Sequence, residues 1–306
     1  MMPCALDVKI NSMIAFKNTT RVKTMISILT DSTCDIPDEL IAKYDIKVIP
    51  QYIIWGDQQY KDRVDLQPID FYKRLTSDPL RPTSSQASHQ DFIDAYQAAI
   101  NAGADEIIML TVSAAMSGTY QMAVTASKSV GVPVHVVDSK GPTMTLGWQV
   151  LAAARAKAAG KDLEGILEDI AQVRSSLVQL VAMESLEYLQ HGGRIGDAVK
   201  WVGNVLKVKP LVSINHRSGR VEPVGLFRSH KTLVEALYRK FFAQLSSHKA
   251  LHIAVLHGNA PEKAETLAAR IQAEFEPVEL LINTTGPVLG INTGPGALAL
   301  CGYREG

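Results

Sequence analysis

The sequence predicts an α/β protein made of two α/β domains, and three observations carry that prediction. Apolar runs of strand length alternate with segments of helical spacing through the first half of the chain, the signature of a parallel sheet covered on both faces. Three of those runs pass directly into small hydroxyl or acidic residues, at Thr30-Asp31-Ser32, at 113–117 and at Asp138-Ser139. Past Leu163 the texture changes, and a hairpin-like segment enters around 209–227. A chain of 306 residues is long enough for two domains.

The elements follow from local chemistry. Residues 26–30 form a short apolar strand, and 36–44 has helical spacing with Pro37 near its start. Residues 46–54 are apolar and β-branched and read as one strand. A short helix is expected at 70–76, then a polar loop at 83–88, then a helix from about 90 to 102 that Gly103 terminates. Strand 107–112, helix 118–130, strand 134–137 and helix 147–159 complete the first domain. Beyond it come helix 163–173, strand 177–182, and helices at 184–190 and 197–206. A strand at 211–214 turns back through His216-Arg217-Ser218-Gly219 into 221–227. Helices at 233–245 and 262–275 alternate with strands at 251–256 and 278–282, and a last strand covers 297–303. The boundary between the domains is expected within 160–180, giving 25–170 and 171–306.

Composition excludes several classes of function. Lys plus Arg equals Asp plus Glu, 31 each, so no basic footprint for nucleic acid or an anionic membrane surface exists. No uncharged apolar stretch approaches a membrane span. The three cysteines, Cys4, Cys34 and Cys301, are far apart and form no CxxC pair. That pattern fits a reduced, cytoplasmic chain and argues against a disulfide framework or a zinc ribbon. The eight histidines show no metal-ligand spacing. Residues 1–24 carry Lys9, Lys17, Arg21 and Lys23 with Asp7 among them, without the apolar region of a secretory signal. They read as a disordered tail or a gene-model extension, with Met25 as the functional start.

The candidate site lies where strands end, because open parallel sheets bind ligands beyond their carboxyl ends. Ser117 precedes Gly118-Thr119 at the start of a helix. It reads either as a simple N-cap or as an anion ligand, with free N–H groups and the helix dipole adding to its hydroxyl. Gly118 would allow close approach of a ligand to the backbone. A nucleophile elbow needs glycines where Ala115 and Thr119 stand, which disfavours a serine hydrolase using Ser117. Ser84 and Ser85 supply further hydroxyls for the same anion or serve as capping and turn residues. Asp31 is a candidate acid or an orienter of loop hydroxyls. The glycines of 290–296 suggest a tight loop, yet they match neither phosphate fingerprint, so nucleotide binding is discounted.

Seven segments in this order resemble the DegV family of fatty-acid-binding proteins: Thr30-Asp31-Ser32-Thr33, Pro82-Thr83-Ser84-Ser85-Gln86, Met116-Ser117-Gly118-Thr119-Tyr120-Gln121, Val137-Asp138-Ser139, Leu186-Glu187-Tyr188-Leu189 with Gly192-Gly193-Arg194-Ile195, Lys207-Val208-Lys209-Pro210, and Thr293-Gly294-Pro295-Gly296. The resemblance implies a DegV-type pair of domains with a long-chain fatty acid in an apolar tunnel between them. It also implies a carrier that presents the acid to a fatty acid kinase and has no catalytic residue, metal or cofactor of its own. Ser117 and Ser84, with Ser85 adjacent, match family carboxylate ligands. Arg228 matches a basic residue near the head group or partner-facing region. Asn292 stands where many members have histidine. It retains a hydrogen-bond donor for the head group but carries no charge. An acyl-ligand sensor is the alternative role.

Overall fold

The computed structural model describes residues 24–201, 208–245 and 250–305. Residues 1–23 of the tail expected at 1–24, and the helical stretch at 202–206, fall outside them. In chain order the elements are β1 (Ile26–Asp31), α1 (Asp38–Lys43), β2 (Lys47–Ile49), β3 (Tyr52–Trp55), β4 (Gln58–Lys61), α2 (Pro68–Ser77), β5 (Thr83–Ser85) and α3 (His89–Asn101). Next come β6 (Glu106–Thr111), α4 (Thr119–Ser127), β7 (Val134–Asp138), α5 (Met144–Ala158) and α6 (Leu163–Ser176). Then follow β8 (Val178–Ala182), α7 (Glu187–His191), β9 (Lys209–Asn215), β10 (Arg220–Phe227), α8 (His230–Phe242), β11 (Leu251–His257), α9 (Pro261–Phe275), β12 (Glu279–Thr284), α10 (Pro287–Thr293) and β13 (Leu298–Arg304).

The expected α/β class is observed. The strands order β2-β1-β6-β7 in a four-stranded sheet, parallel throughout. Its central strands are apolar on both sides because both faces are covered. Leu29, Ile107 and Met109 face the core that holds Phe92 and Tyr96 of α3 and Ala123 of α4. Ile28, Ile108 and Leu110 face α5. A six-stranded sheet, β10-β9-β8-β13-β11-β12, packs one face against α8 and α9 through Leu233, Phe241, Leu267 and Ile271. Its other face joins the α5 core through Val181, Val212, Ala254 and Cys301.

Helix α5 therefore lies between the sheets, and nearly all of its residues are buried, as expected for a helix apolar on all sides. Trp148 Nε1 donates to the Cys301 carbonyl at 3.2 Å, tying α5 to β13.

The structure corrects four local expectations. The single strand read at 46–54 is two: β2 joins the parallel sheet, and β3 pairs with β4 and β5 in a separate antiparallel sheet. Pro50 lies at the break, where its missing N–H interrupts the ladder. Thr83–Ser85 is an edge strand rather than a loop. Residues 287–293 are helix α10, not a tight loop. Gly290 in that helix lets Phe71 and Tyr72 pack within reach of its Cα, and Gly294, at φ +72°, ends it against the Tyr188 ring. The stretch read as helix from 197 begins as a short 3-10 turn, Gly196–Trp201.

Candidate functional site: a cavity between the sheets

A cavity with about 830 Å³ of empty space, its open mouth included, lies where the carboxyl ends of β1 and β6 meet the six-stranded sheet. All three strand-end loops singled out in the sequence contribute to its lining: Thr33 after β1, Val112, Met116 and Ser117 after β6, and Pro142 and Thr143 after β7. Its apolar wall is the inner face of β8, β9 and β10, through Val181, Val212, Ile214 and Val221, with Met183 and Leu189 beside them. Helix α10 adds Val288, Leu289, Asn292 and Thr293, and β5 adds Ser84 and Ser85.

Asp31 shapes this rim without lining it. It is fully buried. One carboxylate oxygen accepts from the Thr33 backbone N–H at 3.0 Å and from the Thr33 hydroxyl at 2.5 Å, and the other accepts from Val112 N–H at 2.7 Å. Burial pushes its carboxyl above the usual range, and these bonds oppose that shift. Asp31 thus holds the Thr33 hydroxyl and ties the ends of β1 and β6. Asp138 makes a similar tie one strand over, accepting from Ala114 N–H at 3.2 Å.

Ser117 does not occupy the N-cap of α4; Gly118 does. Its hydroxyl instead accepts from Thr119 N–H at 3.3 Å and lies 2.8 Å from Thr119 Oγ1. Thr119 Oγ1 in turn accepts from Gln51 Nε2 at 3.2 Å, and Gln51 Oε1 accepts from Ala87 N–H at 3.0 Å. Ser84 is half-buried on the cavity side of β5, and its hydroxyl has no side-chain hydrogen bond among the described residues. Ser85 is more exposed, and its hydroxyl lies 3.3 Å from the Gln86 carbonyl.

Three expected contributors behave differently. The space beside Gly118 is filled by the Gln86 carboxamide, so its missing Cβ serves side-chain packing there. Asn292 faces the cavity, but its Nδ2 donates to the Val288 carbonyl at 3.0 Å, and its buried Oδ1 has no partner. One of its two amide N–H groups is thus used within α10, a consequence of the helix where a loop was expected. Arg228 is exposed beyond β10 and does not line the cavity.

Sequence reasoning passed over Gln51 and Arg194. Arg194 is the one charged residue among the lining residues described. Its guanidinium reaches the Gly192 carbonyl at 2.7 Å and the Met116 carbonyl at 3.3 Å, bridging α7 to the Ser117 loop. The signal for Arg194 was an arginine following two glycines at a helix end. The signal for Gln51 was a polar residue inside an apolar β run.

Beneath the rim sits a second acidic group. Asp35 Oδ1 accepts from Gly286 N–H at 2.8 Å and from Arg63 at 3.3 Å, while Asn283 Nδ2 donates to the Asp35 carbonyl at 2.9 Å. These bonds anchor the start of α10, which carries Asn292 and Thr293. Asp62 accepts from the Ser32 hydroxyl at 2.6 Å. Burial pushes both carboxyls up to about 7.

The chain was compared with known proteins. A family model described as an uncharacterised protein, DegV family, matches residues 25–305. A DegV domain-containing protein of Listeria innocua is 32% identical over 90% of this chain and 97% of its own length. The solved structure of a Thermus thermophilus DegV family protein, described as binding fatty acid, aligns with a TM-score of 0.86 at 29% identity, covering 92% of this chain and all of that one, 100%. A Thermotoga maritima structure described as revealing a fatty-acid-binding function aligns with a TM-score of 0.83 at 27% identity, covering 92% and 100%. This chain belongs to the DegV family.

Proposed function

We propose that this protein binds a long-chain fatty acid in the cavity between its sheets and holds the carboxylate with the hydroxyls of Ser117 and Ser84. The observation that carries this reading is the character of the lining. An apolar wall from β8, β9 and β10 adjoins a group of hydroxyls and, among the described lining residues, one guanidinium and no aspartate or glutamate. A carboxylate taken out of water needs several donors, and that set supplies them. The acyl chain contributes affinity at about 0.8 kcal/mol per buried CH₂, so the hydroxyls need only orient the head. The fatty-acid binding described for the Thermus and Thermotoga relatives supports the same ligand class.

The role of carrier, presenting the acid to a partner such as a fatty acid kinase, extends this reading from the family resemblance. A serine hydrolase using Ser117 finds no support in the cavity, where neither histidine nor lysine stands among the described lining residues. The test is a chain-length series on delipidated protein by calorimetry. Affinity should rise about fourfold per added methylene while the tail is being buried. Affinity that is flat across the series contradicts the tunnel.

A further inference from the structure

We infer that Gln51 and Thr119 form a positioning relay that fixes the Ser117 hydroxyl as a pure donor toward the cavity, so that the site selects a head group that accepts hydrogen bonds. This rests on the fatty-acid reading above and adds the device that sets head-group selectivity.

The direction of each hydrogen bond in the relay follows from its partners. Gln51 is 2% exposed. Its Oε1 accepts from Ala87 N–H, which leaves the amide nitrogen toward Thr119, and Nε2 donates to Thr119 Oγ1 at 3.2 Å. Thr119 is fully buried, 0% exposed, so its hydroxyl proton needs an acceptor within the protein. Among the described residues the acceptor within reach is Ser117 Oγ, 2.8 Å away. Were Ser117 to donate instead, the Thr119 proton would be buried unbonded, at about 1–3 kcal/mol. Thr119 therefore donates to Ser117.

Ser117 Oγ also accepts from Thr119 N–H at 3.3 Å. A hydroxyl has two acceptor lone pairs and one donor, and both lone pairs are now engaged. What remains is the Ser117 O–H, on a residue that lines the cavity. A carboxylate oxygen meets that hydroxyl well. An ammonium or other donor-only head finds no lone pair there. The same saturation opposes activation of Ser117 as a nucleophile. Gln51 also reaches the cavity wall and Thr119 does not, but in this effect both act through Ser117.

The test compares two ligands of one chain length and opposite head groups, dodecanoate and dodecylammonium, on delipidated wild-type protein, Thr119→Val and Thr119→Ser, below micellar concentrations. Wild type should prefer dodecanoate at least a hundredfold. Thr119→Val removes the proton donated to Ser117 at nearly constant shape and frees a lone pair. Dodecanoate should weaken about tenfold and dodecylammonium should not, so the preference shrinks at least tenfold. Thr119→Ser retains the hydroxyl and should return the preference to within about threefold of wild type. Should Thr119→Val not fold, Gln51→Met, which removes the donor that orients Thr119, is read by the same ratio. Equal weakening of both ligands, or an unchanged ratio, overturns the relay while leaving fatty-acid binding in place. Wild-type protein that binds neither dodecanoate nor palmitate overturns the fatty-acid reading itself.

Discussion

The two serines at the cavity are predicted to behave differently when truncated, because only one is wired into the protein. Ser117→Ala removes the donor offered to the ligand and also the acceptor of the fully buried Thr119 hydroxyl. The lost bond to a charged head is worth about 1.5–3 kcal/mol, and the stranded Thr119 proton costs about 1–3 kcal/mol of stability. Affinity for the acid should therefore fall between ~10-fold and ~150-fold. The melting temperature of the ligand-free protein should fall as well, by about 2–4 °C for each kcal/mol. Ser84→Ala removes a hydroxyl with no protein partner among the described residues. It should weaken acid binding on the same scale and leave the ligand-free melting temperature within about 1 °C, since substitutions that strand no buried group cost little. Thermal scans of delipidated protein and titration with palmitate read the two effects separately. Equal loss of stability in both variants would refute the wiring, and unchanged affinity in both would refute the carboxylate site.

Two further outcomes follow from the structure. Asp62 is buried and its folded pKa is raised from an ordinary 3.8 to about 7. Between those values the unfolded chain is ionised while the folded one keeps its proton, so stability present below pH 4 is lost as the pH rises through about 7, by up to about 4 kcal/mol. Asp62→Asn still offers an oxygen to the Ser32 hydroxyl, so it should flatten melting temperature against pH from 5 to 8 and raise it at pH 8; an unchanged slope would assign the dependence to Asp35. Gly294 has φ +72°, and a Cβ there would lie 2.3 Å from the Tyr188 ring. Gly294→Ala should cost at least about 2 kcal/mol from backbone strain and overlap, seen as a lowered urea midpoint, and a neutral result would show that α7 yields easily.

The parallel sheet was legible because its strands are buried on both faces and so read as continuous apolar runs. Its ligand-facing rim was legible because strand ends such as Thr30-Asp31-Ser32 carry small polar residues with no place in a core. What could not be read is what tertiary pairing decides. Thr83–Ser85 is a strand because β3 lies beside it, not because three hydroxyl residues favour extension. Pro50 was visible, but the separate sheet that begins after it was not. Asn292 was weighed as a loop donor, and only the structure shows that one of its N–H groups makes an i−4 bond within α10. Arg194 stood in a quoted motif, yet its approach to Met116 depends on how α7 packs against the β6 loop. Gln51 gains meaning only through Thr119, far along the chain and adjacent in space.

The central claim is that the cavity holds a fatty acid, and native mass spectrometry of the freshly purified protein, followed by denaturing extraction, tests it most directly. The account predicts one acyl chain acid per chain, released on denaturation and replaced by added palmitate in wild type but poorly in Ser117→Ala. Protein that emerges empty and takes up neither palmitate nor oleate would contradict it.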